Sequence, residues 1–226
     1  MTTAADFLER LSHDVLTLNL SLQTILVEEY EKPMEEHLSG WVLAQSGEFQ
    51  DALRRFYAGG GDIGHTATQA NSRFRAQPFG QVVVDRVYEL NHMSAKLAKE
   101  VTPQDRYIAG NMSSTNPDFM EPVGDLTYDE VYEANKEHLL ALVEGGVDLL
   151  VVTGQHLDEA VIYIKLAKEL TELPVIAFSS FFKGKKGFRT LEGLDPKTAT
   201  ERLDEAGADV VGVTCGLVSY EDTGEV

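Results

Sequence analysis

The fold is decided by the stretch Glu144-Gly145-Gly146-Val147-Asp148-Leu149-Leu150-Val151-Val152-Thr153. In this stretch a helix-like segment ends at glycine, an aspartate follows, and a continuous apolar run finishes in a hydroxyl residue. Glycine accepts the left-handed conformation that closes a helix, and a short apolar run is typical of a strand buried on both faces. The same order recurs at Ala58-Gly59-Gly60-Gly61-Asp62 and at Ala206-Gly207-Ala208-Asp209. The recurrence predicts one helix–strand unit used repeatedly in a parallel sheet.

Outward from this stretch, apolar β-rich runs alternate with amphipathic segments along the chain. The apolar runs predict strands at residues 15–22, 62–68, 107–112, 147–153, 174–179 and 209–215. The clearest helical periods fall at residues 81–101, 128–144, 157–170 and 196–206. No linker and no low-complexity stretch interrupts this alternation.

The serial units predict an α/β fold of the (β/α)8 TIM-barrel type. An open doubly wound sheet has less support, because no Gly-x-Gly-x-x-Gly follows the first predicted strand. A full barrel has eight units and about 250 residues, whereas this chain supplies about six units. We therefore expect one barrel domain over residues 1–226 that is incomplete on its C-terminal side.

The charge balance limits the partners of the protein. The 226 residues carry 19 lysines and arginines against 37 aspartates and glutamates, a formal net charge of -18 at pH 7. A field of this sign repels phosphate backbones and anionic lipid surfaces, so we expect no nucleic-acid partner. No apolar run approaches the roughly 18 residues of a membrane span, and no secretory signal is legible. Together with the single cysteine, Cys215, these features predict a reducing, cytoplasmic setting.

Hydroxyl and amide side chains follow the predicted strands, at the ends where parallel barrels gather their reacting groups. Almost no acid stands among them, which argues against hydrolysis by a pair of carboxylates. The candidate substrate-binding residues are Asn19, Thr66, Thr68, Asn111 and Thr153.

Cys215 ends the sixth predicted strand and is the most reactive of these groups. A thiolate is a nucleophile and a soft metal ligand, whereas an isolated cysteine on a β-rich run is often a small buried hydrophobe. One hypothesis joins Cys215 with His65 and His156 in a metal site, and the other treats both histidines as rim residues bonded to backbone or water. The remaining histidines lie on helical patterns and are expected at the surface: His13, His37, His92 and His138.

A basic cluster occupies residues 183–189, after the fifth predicted strand. Two interpretations of it stay open. It is either an anion-binding loop on the active face or a solvated loop of an otherwise acidic protein.

The order of the motifs resembles the homocysteine-binding domain of the zinc-dependent S-methyltransferases. Residues 66–73, Thr-Ala-Thr-Gln-Ala-Asn-Ser-Arg, are similar to the family's Thr-Asn-Thr-Phe-Gly-Ala-Asn-Arg, and residues 109–115 stand where the family has Ala-Gly-Ser-Ile-Gly-Pro-Thr. Residues 207–215 are similar to Gly-Ala-Asp-x-x-Gly-x-Asn-Cys. Further matches are Gly61-Asp62-Ile63, Gly146-Val147-Asp148 and Glu159-Ala160. The resemblance covers nearly the whole chain and depends on the order of its motifs.

This resemblance implies a methyltransferase that moves a methyl group to a thiol, homocysteine or a related one, activated on zinc. Cys215 stands at the family's first zinc ligand, and the family's other two ligands are an adjacent cysteine pair from a later strand than this sequence contains. The implied methyl donor is a corrinoid or a sulfonium or ammonium compound, with cobalamin carried by a partner protein. Association of the chain with itself stays open.

Two departures from the family motivate alternatives. The family's first-strand Asp-Gly-x-Met-Gly-Thr appears as Asn19-Leu20-Ser21-Leu22-Gln23-Thr24, and its strand-four Glu-Thr appears as Val152-Thr153. In the family these acids help to hold the amino group of homocysteine, so one alternative is a different thiol or donor. The other alternative is a non-catalytic barrel that binds a corrinoid protein or another methyltransferase subunit.

Overall fold

The computed structural model describes residues 4–19, 22–69, 71–113, 120, 124–154, 156–214 and 218–226. Helices and strands alternate through most of these residues. The helices are α1 Ala4–Leu11, α2 Leu22–Glu29, α3 Leu38–Ala44, α4 Ser46–Ala58, α5 Arg73–Ala76, α6 Gln81–Val84, α7 Val87–Glu100, α8 Tyr128–Glu144, α9 Leu157–Leu170, α10 Pro196–Glu205 and α11 Tyr220–Thr223, with a 3-10 turn at Gln77–Phe79. The strands are β1 Ile63–His65, β2 Tyr107–Ser113, β3 Leu149–Gly154, β4 Val175–Ser179, β5 Phe182–Gly184, β6 Gly187–Arg189 and β7 Val210–Val213.

Five of the strands form one parallel sheet in the order β1, β2, β3, β4, β7. Each strand pairs with the next strand that the chain supplies, while β5 and β6 make a separate antiparallel hairpin. All seven residues of β2 are buried, whereas all four residues of β7 are half-buried. Within the described residues, β7 is therefore the more open side of the sheet.

The first predicted strand, residues 15–22, is wrong. Leu18 makes a single parallel bridge to Ile63, supported by the bonds Ile63 N–H to Thr17 O (2.9 Å) and Asn19 N–H to Ile63 O (3.0 Å). Helix α2 already begins at Leu22. The apolar alternation is suited to pairing, but of the described residues in this range only those around Leu18 pair with β1.

The sheet has two different faces. Met112, Leu150, Val152 and Ala177 pack against helices α8, α9 and α10 on the outer face. The inner-face cluster is Phe7, Ile63, Tyr107, Ala109, Leu149, Val151 and Ile176. Because successive side chains of a strand alternate between faces, this division assigns every strand residue to the helix layer or to the interior.

Three aspartates fasten neighbouring strands at the amino-terminal edge of the sheet. Asp62, Asp148 and Asp209 each precede a strand, and their carboxylates accept main-chain N–H groups of the adjacent segment. The pairs are Thr17 with Asp62 (3.0 Å), Ile108 with Asp148 (2.9 Å) and Val175 with Asp209 (2.7 Å). The same carboxylates bind a cation from a preceding helix, Arg10, Lys99 and Lys168 respectively. We call this arrangement the aspartate clamp.

The clamp needs glycine two residues before each aspartate. Gly60, Gly146 and Gly207 have φ values of 94°, 89° and 105°, a conformation that L side chains rarely adopt. This backbone turn ends the preceding helix and sends the chain directly into the next strand. The Gly-x-Asp pattern of the sequence is thus a structural device rather than a catalytic motif.

The helices agree closely with their periodic patterns. Tyr128–Glu144 and Leu157–Leu170 have the predicted bounds, and a Thr127–Glu130 capping box fixes the start of α8. The single helix predicted over residues 81–101 is wrong, because Arg86 leaves helical geometry (φ -110°, ψ 9°) and separates α6 from α7. Among the described residues no helix is both long and apolar enough to span a membrane.

Two of the four histidines predicted at the surface are buried, so that prediction is wrong for them. His37 precedes α3 and accepts the N–H of Gly40 through Nδ1 at 3.3 Å. His138 lies on the buried side of α8, and burial lowers its pKa to about 3. His13 is exposed as expected, and His92 is half-buried. A 3.6-residue period identifies one apolar side of a helix but not how much of the remainder other helices cover.

The basic cluster forms the β5–β6 hairpin. Lys183 binds the carboxylates of Asp222 and Glu225, the latter at 3.1 Å, and its ammonium lies 5.4 Å from the ring centre of Phe188. The loop interpretation is therefore corrected to a short hairpin joined to the C-terminal residues by ion pairs. Its exposed residues Lys185 and Lys186 keep both the anion-binding and the solvated interpretation open.

We expect the substitution Asp148→Ala to lower the free energy of unfolding by about 2 kcal/mol, because the N–H of Ile108 loses a charged acceptor in a partly buried position. Lys99→Ala removes the same ion pair at a side chain that is 42% exposed, and we expect a loss below about 1 kcal/mol. Urea unfolding of both variants measures the difference. Equal losses would show that the ion pair, and not the N–H bond, is what stabilises the strand pair.

Stability should also fall in mild acid because of His138. Its folded pKa lies below its ordinary value of 6.5, so below that pH the unfolded chain takes up a proton that the folded chain refuses. The resulting loss is about 1.4 kcal/mol per pH unit between pH 6.5 and the folded pKa. We expect His138→Gln to flatten the pH dependence of unfolding between pH 4 and 6 by about this slope, as followed by urea titrations. The same change at exposed His13 is the control, and an unchanged slope in the His138 variant would refute the assignment.

Candidate functional site

Hydroxyl groups join the carboxyl ends of β1 and β2. Thr66 Oγ1 accepts the main-chain N–H of Asn111 at 3.0 Å and lies 2.7 Å from Thr68 Oγ1. Thr68 Oγ1 donates to the carbonyl oxygen of Asn111 at 2.8 Å, so the proton between the two threonines comes from Thr66. All three residues are buried. The structure thus brings three of the five predicted substrate-binding residues into direct contact.

Asn19 and Thr153 flank this group along the sheet, Asn19 beside β1 and Thr153 on β3. Asn19 is buried and donates its N–H to Ile63 O, which places it beside β1. Thr153 lies opposite Ser113 of β2 and Phe178 of β4, near the end of β3. Both residues therefore stand at the predicted edge of the sheet.

His65, Asn111 and Thr153 share the inner face of the sheet. They lie two residues after Ile63, Ala109 and Val151, which belong to the inner cluster, and alternation turns them the same way. The interior is apolar at its amino-terminal end, where Phe7 meets the ring of Tyr107 edge-on at 5.1 Å. At its carboxyl end the described inner-face residues include His65, Asn111 and Thr153, and none of the described ones is lysine, arginine, aspartate or glutamate. We call this end of the interior the mouth, and it is the end where barrels of this type react.

Three polar side chains are buried in this mouth. Thr153 Oγ1 has no hydrogen-bond partner among the described residues, whereas the side chains of His65 and Asn111 interact with each other. Burial lowers the pKa of His65 to about 4, and the adjoining Asn111 side chain opposes only part of that shift. The imidazole is consequently neutral near pH 7, when it can either accept or donate a hydrogen bond.

Buried polar side chains from two helices fix the loop that follows β1. Ser39 of α3 donates to Ala67 O at 2.6 Å, and Ser94 of α7 accepts the N–H of Ala67 at 3.1 Å. Asn91 of α7 exchanges two bonds with Asn71, at 2.7 and 3.0 Å. Sequence reasoning missed these helix residues. The available signal was a polar residue on the buried side of an amphipathic helix, as at Ser39 beside Leu38 and Trp41.

The predicted zinc ligand, Cys215, lies outside the described residues, so its role stays a prediction. The last described residue before it, Thr214, continues the pairing of β7 by donating its N–H to Ser179 O at 2.9 Å. Within the described ranges no group of three or more histidine, cysteine, aspartate or glutamate residues forms a metal site. His156 instead lies 3.4 Å from Glu192, whose carboxylate also accepts the N–H of Leu157 at 2.6 Å.

The departure from the family at residue 152 falls on the outer face. Val152 packs with the helices, whereas the next residue, Thr153, belongs to the inner face by alternation. The side chain at position 152 therefore does not line the mouth. Asn19 stands where the family motif has its first-strand aspartate, and this residue does lie at the polar edge of the sheet.

In three dimensions the chain is similar to the homocysteine methyltransferase MmuM from Escherichia coli. The metallated form of that protein superimposes with a TM-score of 0.73 at 17% sequence identity, covering 94% of this chain and 78% of that chain. The oxidized form gives a TM-score of 0.71 at 16% identity, covering 94% of this chain and 77% of that chain. At such identities the likeness establishes the fold alone. It confirms the predicted α/β fold of the TIM-barrel type.

Sequence comparison agrees with the motifs. Betaine–homocysteine S-methyltransferase 1 from Xenopus laevis is 27% identical over 183 residues, or 77% of this chain and 43% of that protein. The protein of the same name from Danio rerio is 28% identical over 181 residues, again 77% of this chain and 43% of that protein. The chain thus spans less than half the length of these curated relatives. Residues 16–222 match the sequence profile of the homocysteine S-methyltransferases, and the chain belongs to that family.

Proposed function

We propose that this chain transfers a methyl group to the sulfur of homocysteine or of a related small thiol. The proposal rests on one observation. In this chain, which belongs to the family, the buried residues Thr66, Thr68 and Asn111 lie together at the carboxyl ends of neighbouring parallel strands. Barrels of this type gather their reacting groups at that end. Membership of the family supports methyl transfer as the reaction.

The reaction asks the protein to hold two molecules in line. The bond between the thiol sulfur and the methyl carbon forms as the bond from that carbon to the donor's leaving atom breaks, and the thiol proton passes to water. Holding both reactants at the required distance and angle supplies much of the rate enhancement of such a transfer. Thr66 and Thr68 join the ends of β1 and β2 through the main chain of Asn111, and alternation with Ala109 turns the Asn111 side chain towards the interior.

Zinc is the proposed cofactor, with Cys215 as one of its ligands. Zinc prefers thiolate ligands, and when bound it would stabilise the acceptor thiol as the thiolate that attacks. The described residues do not by themselves fit the metal, because they contain no cluster of three ligating side chains. The further thiolate ligands that the family resemblance implies are not in this sequence, since Cys215 is its single cysteine.

The methyl donor is proposed to be a small onium compound or a methyl-corrinoid on a partner protein. Two relatives are named for betaine, which favours an ammonium donor as the first to be tested. The proposed setting is the cytoplasm, and nucleic acid has no part in the proposal. Self-association of the chain is compatible with this function.

A second candidate is a non-catalytic barrel that binds a corrinoid protein or another methyltransferase subunit. The uncharged Asn19 at the polar edge favours this second candidate, because the family motif has an aspartate at that position. This candidate predicts complex formation without methyl transfer.

We expect the protein to convert homocysteine to methionine with betaine, S-methylmethionine or methylcobalamin as donor, as detected by mass spectrometry. Thr66→Val removes the hydroxyl that bonds both Thr68 and Asn111, and we expect kcat/KM to fall about tenfold or more. The matched control is Thr200→Val, an exposed position on α10. No product with any donor, combined with a stable complex in size-exclusion chromatography, would favour the non-catalytic candidate.

The zinc proposal has its own measurement. Metal content by inductively coupled plasma analysis should fall in Cys215→Ala relative to the wild-type protein, since a thiolate ligand is lost. Thr200→Val should bind as much zinc as the wild type. Equal zinc in the wild-type protein and in Cys215→Ala would contradict the assignment of Cys215.

A further inference from the structure

Two buried tyrosines from the helix layer hold opposite ends of strand β2. Tyr57 of α4 donates its hydroxyl to the carbonyl oxygen of Tyr107, the first residue of the strand, at 2.8 Å. Tyr163 of α9 donates to the carbonyl oxygen of Ser113, the last residue of the strand, also at 2.8 Å. The two bonds have the same chemistry and the same length, but they lie at opposite edges of the sheet.

The bond at Ser113 belongs to a series of contacts that continues into the candidate site. The hydroxyl of Ser113 donates to the carbonyl oxygen of Gln69, in the loop that follows β1. Two residues before Ser113, the main chain of Asn111 bonds both Thr66 and Thr68. A hydroxyl on α9 is therefore connected, through the end of one strand, with both segments that build the candidate site.

The Tyr163 hydroxyl lies in a fully buried setting. The ring belongs to the outer-face cluster, and the hydroxyl lies 3.3 Å from Oε1 of Glu159, which is also fully buried. That contact is longer than an ordinary O–H···O bond, so the proton is directed to the nearer Ser113 oxygen. Burial, followed by the Glu159 carboxylate, raises the pKa of Tyr163 well above its ordinary value. The hydroxyl therefore keeps its proton, and its bond to Ser113, at neutral pH.

We propose that Tyr163 is a positioning residue, whose hydroxyl holds the carboxyl end of β2 where Asn111 and the two threonines receive the acceptor thiol. The proposal rests on the proposed function and adds a residue to its site. Tyr163 acts through Ser113 and has no contact with a reactant of its own. Small displacements of the groups that hold a reactant are costly, because the binding and the transfer both depend on their geometry.

The test removes one hydroxyl at each end of the strand. Tyr163→Phe and the matched control Tyr57→Phe both keep the aromatic ring and lose one bond to a main-chain carbonyl, so both should lower the urea midpoint of unfolding by similar amounts. Only Tyr163→Phe should weaken the binding of L-homocysteine, by about fivefold or more in isothermal titration calorimetry. Every variant is titrated in the same zinc-containing buffer and without a methyl donor, so the result does not depend on turnover.

The dissociation constant separates positioning from stability. A modest loss of stability leaves nearly all of the protein folded, and any unfolded fraction lowers the number of binding sites rather than the affinity of each site. A second measurement combines Tyr163→Phe with Thr66→Val, which by itself releases the N–H of Asn111. We expect the loss of affinity caused by Tyr163→Phe to shrink to below about twofold in that background, because both changes act on the same strand end.

Each outcome has one meaning. Equal homocysteine affinities of the wild-type protein and Tyr163→Phe overturn the inference and leave the proposed function standing, and so do equal losses of affinity in the two tyrosine variants. Fully independent effects of Tyr163→Phe and Thr66→Val also overturn the inference. If Tyr163→Phe does not fold while Tyr57→Phe does, the hydroxyl stabilises the fold itself and the inference is again overturned. Failure of the wild-type protein to bind homocysteine overturns the proposed function together with the inference.

Discussion

The aspartate clamp is the interaction on which the remaining structure depends. Asp62, Asp148 and Asp209 each bind an N–H of the neighbouring segment and a cation from an earlier helix. A carboxylate that accepts a particular N–H fixes the register between two strands, and a slip of one residue would turn every side chain to the opposite face. The bond from Ile108 to Asp148 therefore supports the register of β2 and β3 in which Asn111 and Thr153 face the interior.

The clamp also separates stability from chemistry. It lies at the amino-terminal edge of the sheet with α1, where Arg10 bonds Asp62 and Phe7 closes the interior against Tyr107. The opposite edge is held by neutral hydrogen bonds of threonine, serine and asparagine, and several of its polar atoms stay unpaired among the described residues. Because the charged bonds are remote from the mouth, substitutions in the mouth can change binding with little loss of the sheet.

The described strand residues that face the interior include no lysine, arginine, aspartate or glutamate, in a chain of net charge -18. The acidic residues are spread over helices and strand starts, where they bind lysine and arginine or face water.

Many of the points where helices end and strands begin could be predicted from the amino-acid sequence. The bounds of α8 and α9, the apolar strands and the recurring Gly-x-Asp turn follow from local periodicity and local backbone geometry, and the order of the motifs pointed to the family. Three features could be seen only in the folded chain: Leu18 bridges to Ile63 where a longer strand was predicted, His138 is buried, and Ser39 and Ser94 hold the loop after β1. These outcomes depend on which element covers another across many residues of sequence. A periodic pattern records how one segment is built and carries no record of what packs against it.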